Sequence, residues 1–305
     1  MEPADRLKRA LLSLEGLSVG DAFGERFFVH PSSLALLLGE RALPAPPWRF
    51  TDDTQMALSI VEVLTRCGDI NQLELARSFG RHYDISRGYG PAMHQLLPLI
   101  RSGRPWDKAA RSLFGGSGSF GNGAAMRVAP LGAYFADDLD MVVEQAAKSA
   151  VVTHAHPEGT AGAVAVAVAA AIATAAREAS TIPEPVEFME AVLAHTPASK
   201  VRDQIRVARD LPKDSTVTEA AITLGNGSYV TAQDTVPFTI WCAAYHLTSY
   251  EEALWTTVAG SGDRDTTCAI VGGIVACATG RAGIPDEWLD AREPLPEWDG
   301  QKSDR

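Results

Sequence analysis

From Ala161 to Ala176 the chain carries no charge and consists largely of alanine, with valine, isoleucine, threonine and glycine interspersed. Alanine is the strongest helix former, and a helix apolar on every side must be enclosed by other elements. The run is short for a membrane span of about 20 residues, and no basic cluster flanks it. It therefore reads as the centre of a buried helix over Glu158 to Ala179, around which the remaining segments must wrap. Those segments repeat the helical period: Leu7, Ala10, Leu11 and Leu14 share one face of a helix over Asp5 to Leu17. Further helices are expected over Pro31–Leu38, Gln55–Cys67, Asn71–Arg81, Met93–Ile100, Ala124–Phe135, Met141–Val152, Val186–Ala194, Lys200–Asp210, Thr218–Leu224, Thr235–Leu247, Glu251–Ala259 and Cys268–Ala278. Strand-like alternation is nearly absent, so the expected class is all-α.

At 305 residues, without a composition shift that would mark a linker, one compact domain over residues 1–292 is expected. Residues 293–305, rich in Pro, Glu, Asp and Lys, read as a mobile tail. Asp and Glu number 38 against 27 Lys and Arg, a formal net charge of −11. That balance argues against a general nucleic-acid surface, which needs a basic stripe. Cys67, Cys242, Cys268 and Cys277 show no CxxC pairing and fall mostly in apolar runs, as reduced buried thiols do. The charged start lacks a signal-peptide core. A cytoplasmic, non-membrane protein acting as a monomer is the expectation.

The acidity is concentrated at two places. Gly262-Asp263-Arg264-Asp265-Thr266-Thr267 opens one apolar helical run, and Phe50-Thr51-Asp52-Asp53-Thr54 opens another. One carboxylate or hydroxyl at such a position is an ordinary helix cap. A cap needs one, however, and each site carries two. Four carboxylates meeting in space would repel one another unless cations lay between them. Oxygen-only ligands without a His or Cys cluster point to Mg²⁺ or Mn²⁺ rather than Zn²⁺.

Two further segments carry candidate chemistry. The glycine-dense stretch Gly115 to Gly123 can present backbone N–H groups to a diphosphate, although it lacks the Gly-Lys-Ser/Thr ending of a Walker loop, and a flexible linker would look the same. His154 sits at a helix break, and Tyr89 lies between two glycines in Arg87-Gly88-Tyr89-Gly90, where it could stack on a base or simply pack in a turn.

These residues occur in an order that resembles the ADP-ribosylglycohydrolase family, which includes dinitrogenase-reductase-activating and ADP-ribosylarginine hydrolases. The matching pieces are Gly20-Asp21-Ala22-Phe23-Gly24, Phe50-Thr51-Asp52-Asp53-Thr54, Gly118-Ser119-Phe120-Gly121-Asn122-Gly123-Ala124-Ala125-Met126-Arg127, Thr153-His154-Ala155 and Gly262-Asp263-Arg264-Asp265-Thr266. Each is modestly specific; all of them in this order are highly specific, and they span nearly the whole chain. The resemblance implies an orthogonal multi-helix bundle with two Mg²⁺ or Mn²⁺ ions. Thr51, Asp52 and Asp53 would be metal ligands from one side, with Asp263, Asp265 and Thr266 from the other. It places Ser119, Phe120, Gly121, Asn122, Gly123 and His154 on the diphosphate and distal ribose, with Tyr89 or Phe120 stacking nearby.

It also implies hydrolysis of the N- or O-glycosidic bond of an ADP-ribose conjugate, on a protein or a small molecule. ADP-ribosyl-arginine is the first candidate; serine-linked and O-acetyl-ADP-ribose are alternatives. One position departs from the pattern. Several relatives carry a glutamate four residues after Gly-Asp-x-x-Gly, where this chain has Phe28. Glu25 is the only acid between Asp21 and Glu40 and is the expected substitute for acid/base work, alongside Asp263 and Asp265. The departure also leaves open a catalytically impaired ADP-ribose-binding protein, and a metal-dependent phosphohydrolase would use similar ligands.

Overall fold

The computed structural model describes residues 2–296, and among them the chain forms sixteen α-helices joined by short loops and 3₁₀ turns. Among the described residues, the only extended pairing is two isolated bridges, Trp48 with Arg292 and Gly121 with Thr231. The expected all-α class holds.

The alanine-rich helix, Pro157–Glu178, lies at the centre. By length and composition it could cross a membrane, yet 83% of its apolar window is buried inside the protein. Its neighbours are the helices Ala129–Tyr134, Leu139–Val151, Pro185–His195, Ala232–Tyr245 and Arg264–Thr279. Its small side chains let these neighbours approach closely. The Ala167 carbonyl, for example, faces Gly132 so tightly that a Cβ there would lie 2.0 Å from its oxygen.

The first helix runs from Pro3 to Glu25, eight residues beyond its expected end at Leu17. Glycine costs roughly 1 kcal/mol in a helix interior, which fits a helix expected to end at Leu17, with Gly16, Gly20 and Gly24 reading as a place of tight backbone approach. They do form such a place, but within the continuing helix: one stripe that meets the helix Arg264–Thr279 backbone to backbone. A Cβ at Gly20 would lie 2.1 Å from the Cys268 oxygen, and one at Gly24 would lie 2.2 Å from the Arg264 oxygen. Tyr250 Oη donates to the Gly16 carbonyl at 2.6 Å, and Ser13 Oγ to that of Gly273 at 2.8 Å. The tertiary contact thus carries the helix through its weakest positions.

Other boundaries shift for local reasons. The single helix expected over Ala124–Phe135 is a 3₁₀ turn, Asn122–Ala124, followed by a helix, Ala129–Tyr134, whose early Pro130 suits the first turn. Short helices Trp106–Ser112 and Asp286–Ala291, each preceded by proline, carry too few turns for periodicity to reveal. The start of the expected tail is tied down: Glu293 N donates to the Trp48 carbonyl at 2.9 Å, and its carboxylate accepts from Phe50 N at 2.9 Å. Residues 297–305 lie outside the described residues.

The glycine stripe gives a stability test. Gly20→Ala is expected to cost about 3 kcal/mol, the upper range for overpacking, seen as a lower urea midpoint. Gly39→Ala, whose Cβ would meet nothing within 4 Å, is expected to be neutral or stabilising by up to about 1 kcal/mol. Equal midpoints for the two variants would contradict the close contact.

Candidate active site

The close approach of the first and Arg264–Thr279 helices fixes where their polar residues emerge. Asp21, fully buried on the first helix, reaches the start of the helix Asp52–Cys67. It accepts from Thr51 N at 2.9 Å, Thr54 N at 3.1 Å and Thr51 Oγ1 at 2.8 Å, and also from Thr54 Oγ1. A carboxylate from another helix thereby satisfies backbone donors that a helix start leaves open. Burial raises the Asp21 carboxyl to about 6, with these hydrogen bonds holding it down.

Thr51 caps the helix through its hydroxyl, which accepts from Asp53 N at 3.4 Å. The same oxygen stands 2.8 Å from Asp21 Oδ1 and 2.9 Å from Asp53 Oδ2. One hydroxyl carries one proton, so both carboxylates cannot be satisfied by it at once.

The second acidic segment enters the cluster through a turn in which Ser261 and Gly262 both adopt left-handed backbone, φ 65° and 69°. A Cβ on Gly262 would lie 2.1 Å from the Asn226 carbonyl oxygen, which also accepts from Asp263 N at 3.1 Å. Only glycine fits there. Asp263 then stands at the helix start without capping it, and Asp265 and Thr266 occupy the first turn, both lining the same cavity as Asp52.

The electrostatics follow from this crowding. Burial first, then the charges of Asp21 and Asp263, raises Asp52 to about 8. Burial followed by neighbouring carboxylates holds Asp53 and Asp265 well above the usual range. Asp53 Oδ1 and Asp265 Oδ1 are both buried without a hydrogen-bond partner in the protein. Among the described residues, no group of three or more His, Cys, Asp or Glu side chains is placed as it stands to hold a metal ion. The donor chemistry nevertheless suits a hard cation: all-oxygen groups, orphaned carboxylate oxygens and mutual repulsion that positive charge would relieve.

The cluster forms part of the wall of a cavity of about 730 Å³, within the range of small-molecule sites. Asp52, Asp263, Asp265 and Thr266 line it together with Ser119, Phe120, Gly121, Asn122, Gly123 and His154. Asn122 is shared between the cavity and its frame, since Nδ2 donates to Asp263 Oδ2 at 2.7 Å and to Thr235 Oγ1 at 3.1 Å. Ser119 Oγ accepts from Gly121 N at 3.2 Å and shapes the glycine loop. The imidazole of His154 lies against that loop, and a Cβ on Gly123 would come within 2.8 Å of its Cε1. The Phe120 ring centroid is 6.1 Å from that of Phe114 and 5.3 Å from that of His156.

Four expected site residues fall elsewhere. Tyr89 is buried, outside the cavity wall, with Oη donating to Gln55 Oε1 at 2.8 Å and its ring 5.0 Å from that of Tyr83. Thr51 and Asp53 stand behind Asp52 rather than in the wall itself. Glu25 ends the first helix with its side chain in solvent and does not line the cavity. The surrounding protein still raises its carboxyl by desolvation, opposed by Arg26 and Arg49 and supported by Asp263, so it lies within electrostatic reach of the cluster. Phe28, at the departing position, is half-exposed, with the Arg264 guanidinium 5.8 Å from its ring centroid.

The structure adds residues that sequence reasoning missed. Phe114, Tyr229, Val230 and Thr231 form part of the wall. Val230 has φ 55°, a strained conformation for a β-branched residue. Its carbonyl accepts from Asn122 N at 3.2 Å, which pins this loop to the glycine loop. The Gly225-Asn226-Gly227 turn was the nearest signal in the sequence.

The ADP-ribosylglycohydrolase family profile matches residues 2–302. Human ADP-ribosylhydrolase ARH3 is 28% identical, with 97% of this chain and 92% of that protein covered. An uncharacterised protein of Archaeoglobus fulgidus is 32% identical, with 92% of each covered. ADP-ribosylarginine hydrolase Tri1 of Serratia proteamaculans is 26% identical, covering 95% of this chain and 75% of that protein. A solved ADP-ribosylglycohydrolase-related protein complex has the same fold, with a TM-score of 0.60 at 24% identity over 95% of this chain and 93% of that one. The chain belongs to the ADP-ribosylglycohydrolase family and is a glycosidic-bond hydrolase.

His154 yields a pH test independent of activity. Burial, followed by the charge of Arg127, lowers its imidazole to about 3. The unfolded histidine binds a proton near pH 6.5 and the folded one resists it, so stability is present above pH 6.5 and is lost as pH falls toward 3. His154→Gln is expected to lose about 2 kcal/mol less than the parent between pH 7 and pH 5, measured by urea denaturation. Parallel stability profiles would contradict a neutral buried imidazole.

Proposed function

We propose that this member of the ADP-ribosylglycohydrolase family cleaves the glycosidic bond of ADP-ribose conjugates with two divalent cations, Mg²⁺ or Mn²⁺, and that ADP-ribosyl-arginine on protein is its first substrate. The observation that carries the metal assignment is the pair of buried, unpartnered oxygens, Asp53 Oδ1 and Asp265 Oδ1, among carboxylates that raise one another's pKa. Asp52, Asp53 and Thr51 would hold the cations from one side, with Asp263, Asp265 and Thr266 from the other. Such cations supply positive charge that orients sugar hydroxyls and favours loss of a proton from water.

The chain's own groups divide the remaining work. Ser119 to Gly123 and His154 line the same cavity as the aspartates and suit the diphosphate and distal ribose. Asn122 links the two regions by holding Asp263 at 2.7 Å. Hydrolysis breaks the bond between the anomeric carbon and the leaving nitrogen and forms a bond from that carbon to water oxygen. The water proton passes to a carboxylate, and the leaving nitrogen gains a proton. The sugar passes through an oxocarbenium-like state that nearby negative charge stabilises. Glu25 is assigned the proton transfer as the only acid between Asp21 and Glu40, standing outside the cavity wall but within electrostatic influence of Asp263.

The names of the relatives support an ADP-ribosyl substrate, with Tri1 naming the arginine linkage. The test is a mass-spectrometric panel of arginine-, serine- and acetyl-linked ADP-ribose, with and without Mg²⁺. Free ADP-ribose is expected from the arginine conjugate only when metal is present. Release of AMP or phosphate instead, or no product from any conjugate, would overturn the reading. Glu25→Gln is expected to lower kcat by about 10²-fold or more with metal binding by calorimetry unchanged, and a full rate would remove Glu25 from the chemistry.

A further inference from the structure

The cavity wall presents a chemical puzzle for an anionic ligand. Among the described residues that line it, Asp52, Asp263 and Asp265 are acids and none is lysine or arginine. Behind the wall, however, lies Arg127, fully buried. Its guanidinium has no carboxylate ion-pair partner among the described residues. One nitrogen, Nη2, donates to the Ser149 carbonyl at 3.2 Å and to Thr153 Oγ1 at 2.9 Å. The other, Nη1, lies 3.6 Å from Met56 Sδ, and the guanidinium carbon stands 4.5 Å above the Phe79 ring. Ion pairing therefore does not explain why this cation is buried where it is.

Its contact with Thr153 does have a directional consequence. A threonine hydroxyl has one proton and two lone pairs, whereas guanidinium only donates. Thr153 Oγ1 must therefore accept from Arg127, and since its only other hydrogen-bond partner among the described residues is His154 Nδ1, 2.7 Å away, the hydroxyl proton goes there rather than being left unpaired by a second accepted bond. With Nδ1 accepting, the neutral imidazole carries its proton on Nε2. That nitrogen lies along the glycine loop, 3.0 Å from where a Cβ on Gly123 would stand and 3.3 Å from one on Gly121. Phosphate oxygens accept hydrogen bonds, so an Nε2–H attracts them, whereas the other tautomer would present a lone pair and repel them.

We propose that Arg127 is a positioning residue which, through the Thr153 hydroxyl, locks His154 as the Nε2–H tautomer and so makes it a hydrogen-bond donor to the diphosphate of the bound ADP-ribosyl group. The ligand half rests on the function proposed above; the tautomer half does not. The relay also accounts for a neutral imidazole at an anion site: the charge sits one residue back, where it polarises the Thr153–His154 chain without closing the cavity. Burial of the imidazole, then the charge of Arg127 beside it, keeps His154 from taking a second proton.

The test uses nitrogen-15 NMR of the histidine rings in the full chain and calorimetric binding of ADP-ribose. In the ligand-free parent, the His154 ring is expected to be the Nε2–H tautomer at neutral pH. Thr153→Val, which keeps the shape and removes the relay, is expected to mix the tautomers and weaken ADP-ribose binding about ten-fold, the size of one lost hydrogen bond to a charged group. Thr153→Ser is expected to restore both, and Arg127→Lys to restore neither fully, because the planar fork is lost. An Nδ1–H tautomer in the parent, or an unchanged tautomer in Thr153→Val, would overturn the relay whether or not Arg127→Lys folds. The expected tautomers with no ADP-ribose binding by the parent would overturn the ligand assignment and the proposed function together, leaving the relay in place.

Discussion

The structure depends on a contact between two helices with almost no side chain between them. Gly16, Gly20 and Gly24 bring the first helix against the Arg264–Thr279 helix until backbone touches backbone. Residues next to those glycines are thereby committed: Asp21 turns toward Thr51 and Thr54, and the mouth of the second helix delivers Asp263 and Asp265 to the same place. Widening the contact would move carboxylates that now feel one another's charge. Packing and site are thus set by one constraint, with the glycine entropy cost offset by the close dispersion contact and the Tyr250 and Ser13 hydrogen bonds.

The cavity built on this frame is lined by two unlike sets of groups. In one, carboxylates are buried together, and burial first, then repulsion, keeps Asp52, Asp53 and Asp265 above the ordinary range. In the other, neutral donors, a glycine loop and an uncharged imidazole form the wall, with the nearest buried cation set behind it. Asn122 connects them by lining the cavity and bonding Asp263. An ADP-ribosyl conjugate has a matching polarity, with sugar hydroxyls and a leaving group at one end and an anionic diphosphate further along. This match, more than any single residue, supports the proposed substrate.

Much of this was legible in the sequence because it is local. Paired acids before apolar runs identified Asp52, Asp53, Asp263 and Asp265, and glycine density identified the Ser119–Gly123 loop; the structure brings these segments to one cavity with His154. What was illegible depends on distance in the chain. Nothing local says that Gly20 will lie against Cys268, so the first helix was expected to stop early. Tyr89 sits between glycines like an exposed ring, yet Gln55 and Tyr83 draw it inward. Phe114, Tyr229 and Val230 reach the wall from loops, where no period marks a side chain's direction. Glu25 was chosen by elimination among acids, and its solvent-facing position at the helix end leaves its role to kinetics.

On the function proposed above, the buried carboxylates would hold divalent cations. Anomalous diffraction from crystals equilibrated with Mn²⁺ addresses this directly. Two Mn²⁺ peaks bounded by Asp52, Asp53, Asp263 and Asp265 are the expected result, and both should vanish in Asp265→Asn if the sites are coupled. Ordered density for these side chains with no anomalous peak among them at saturating Mn²⁺ would contradict the account.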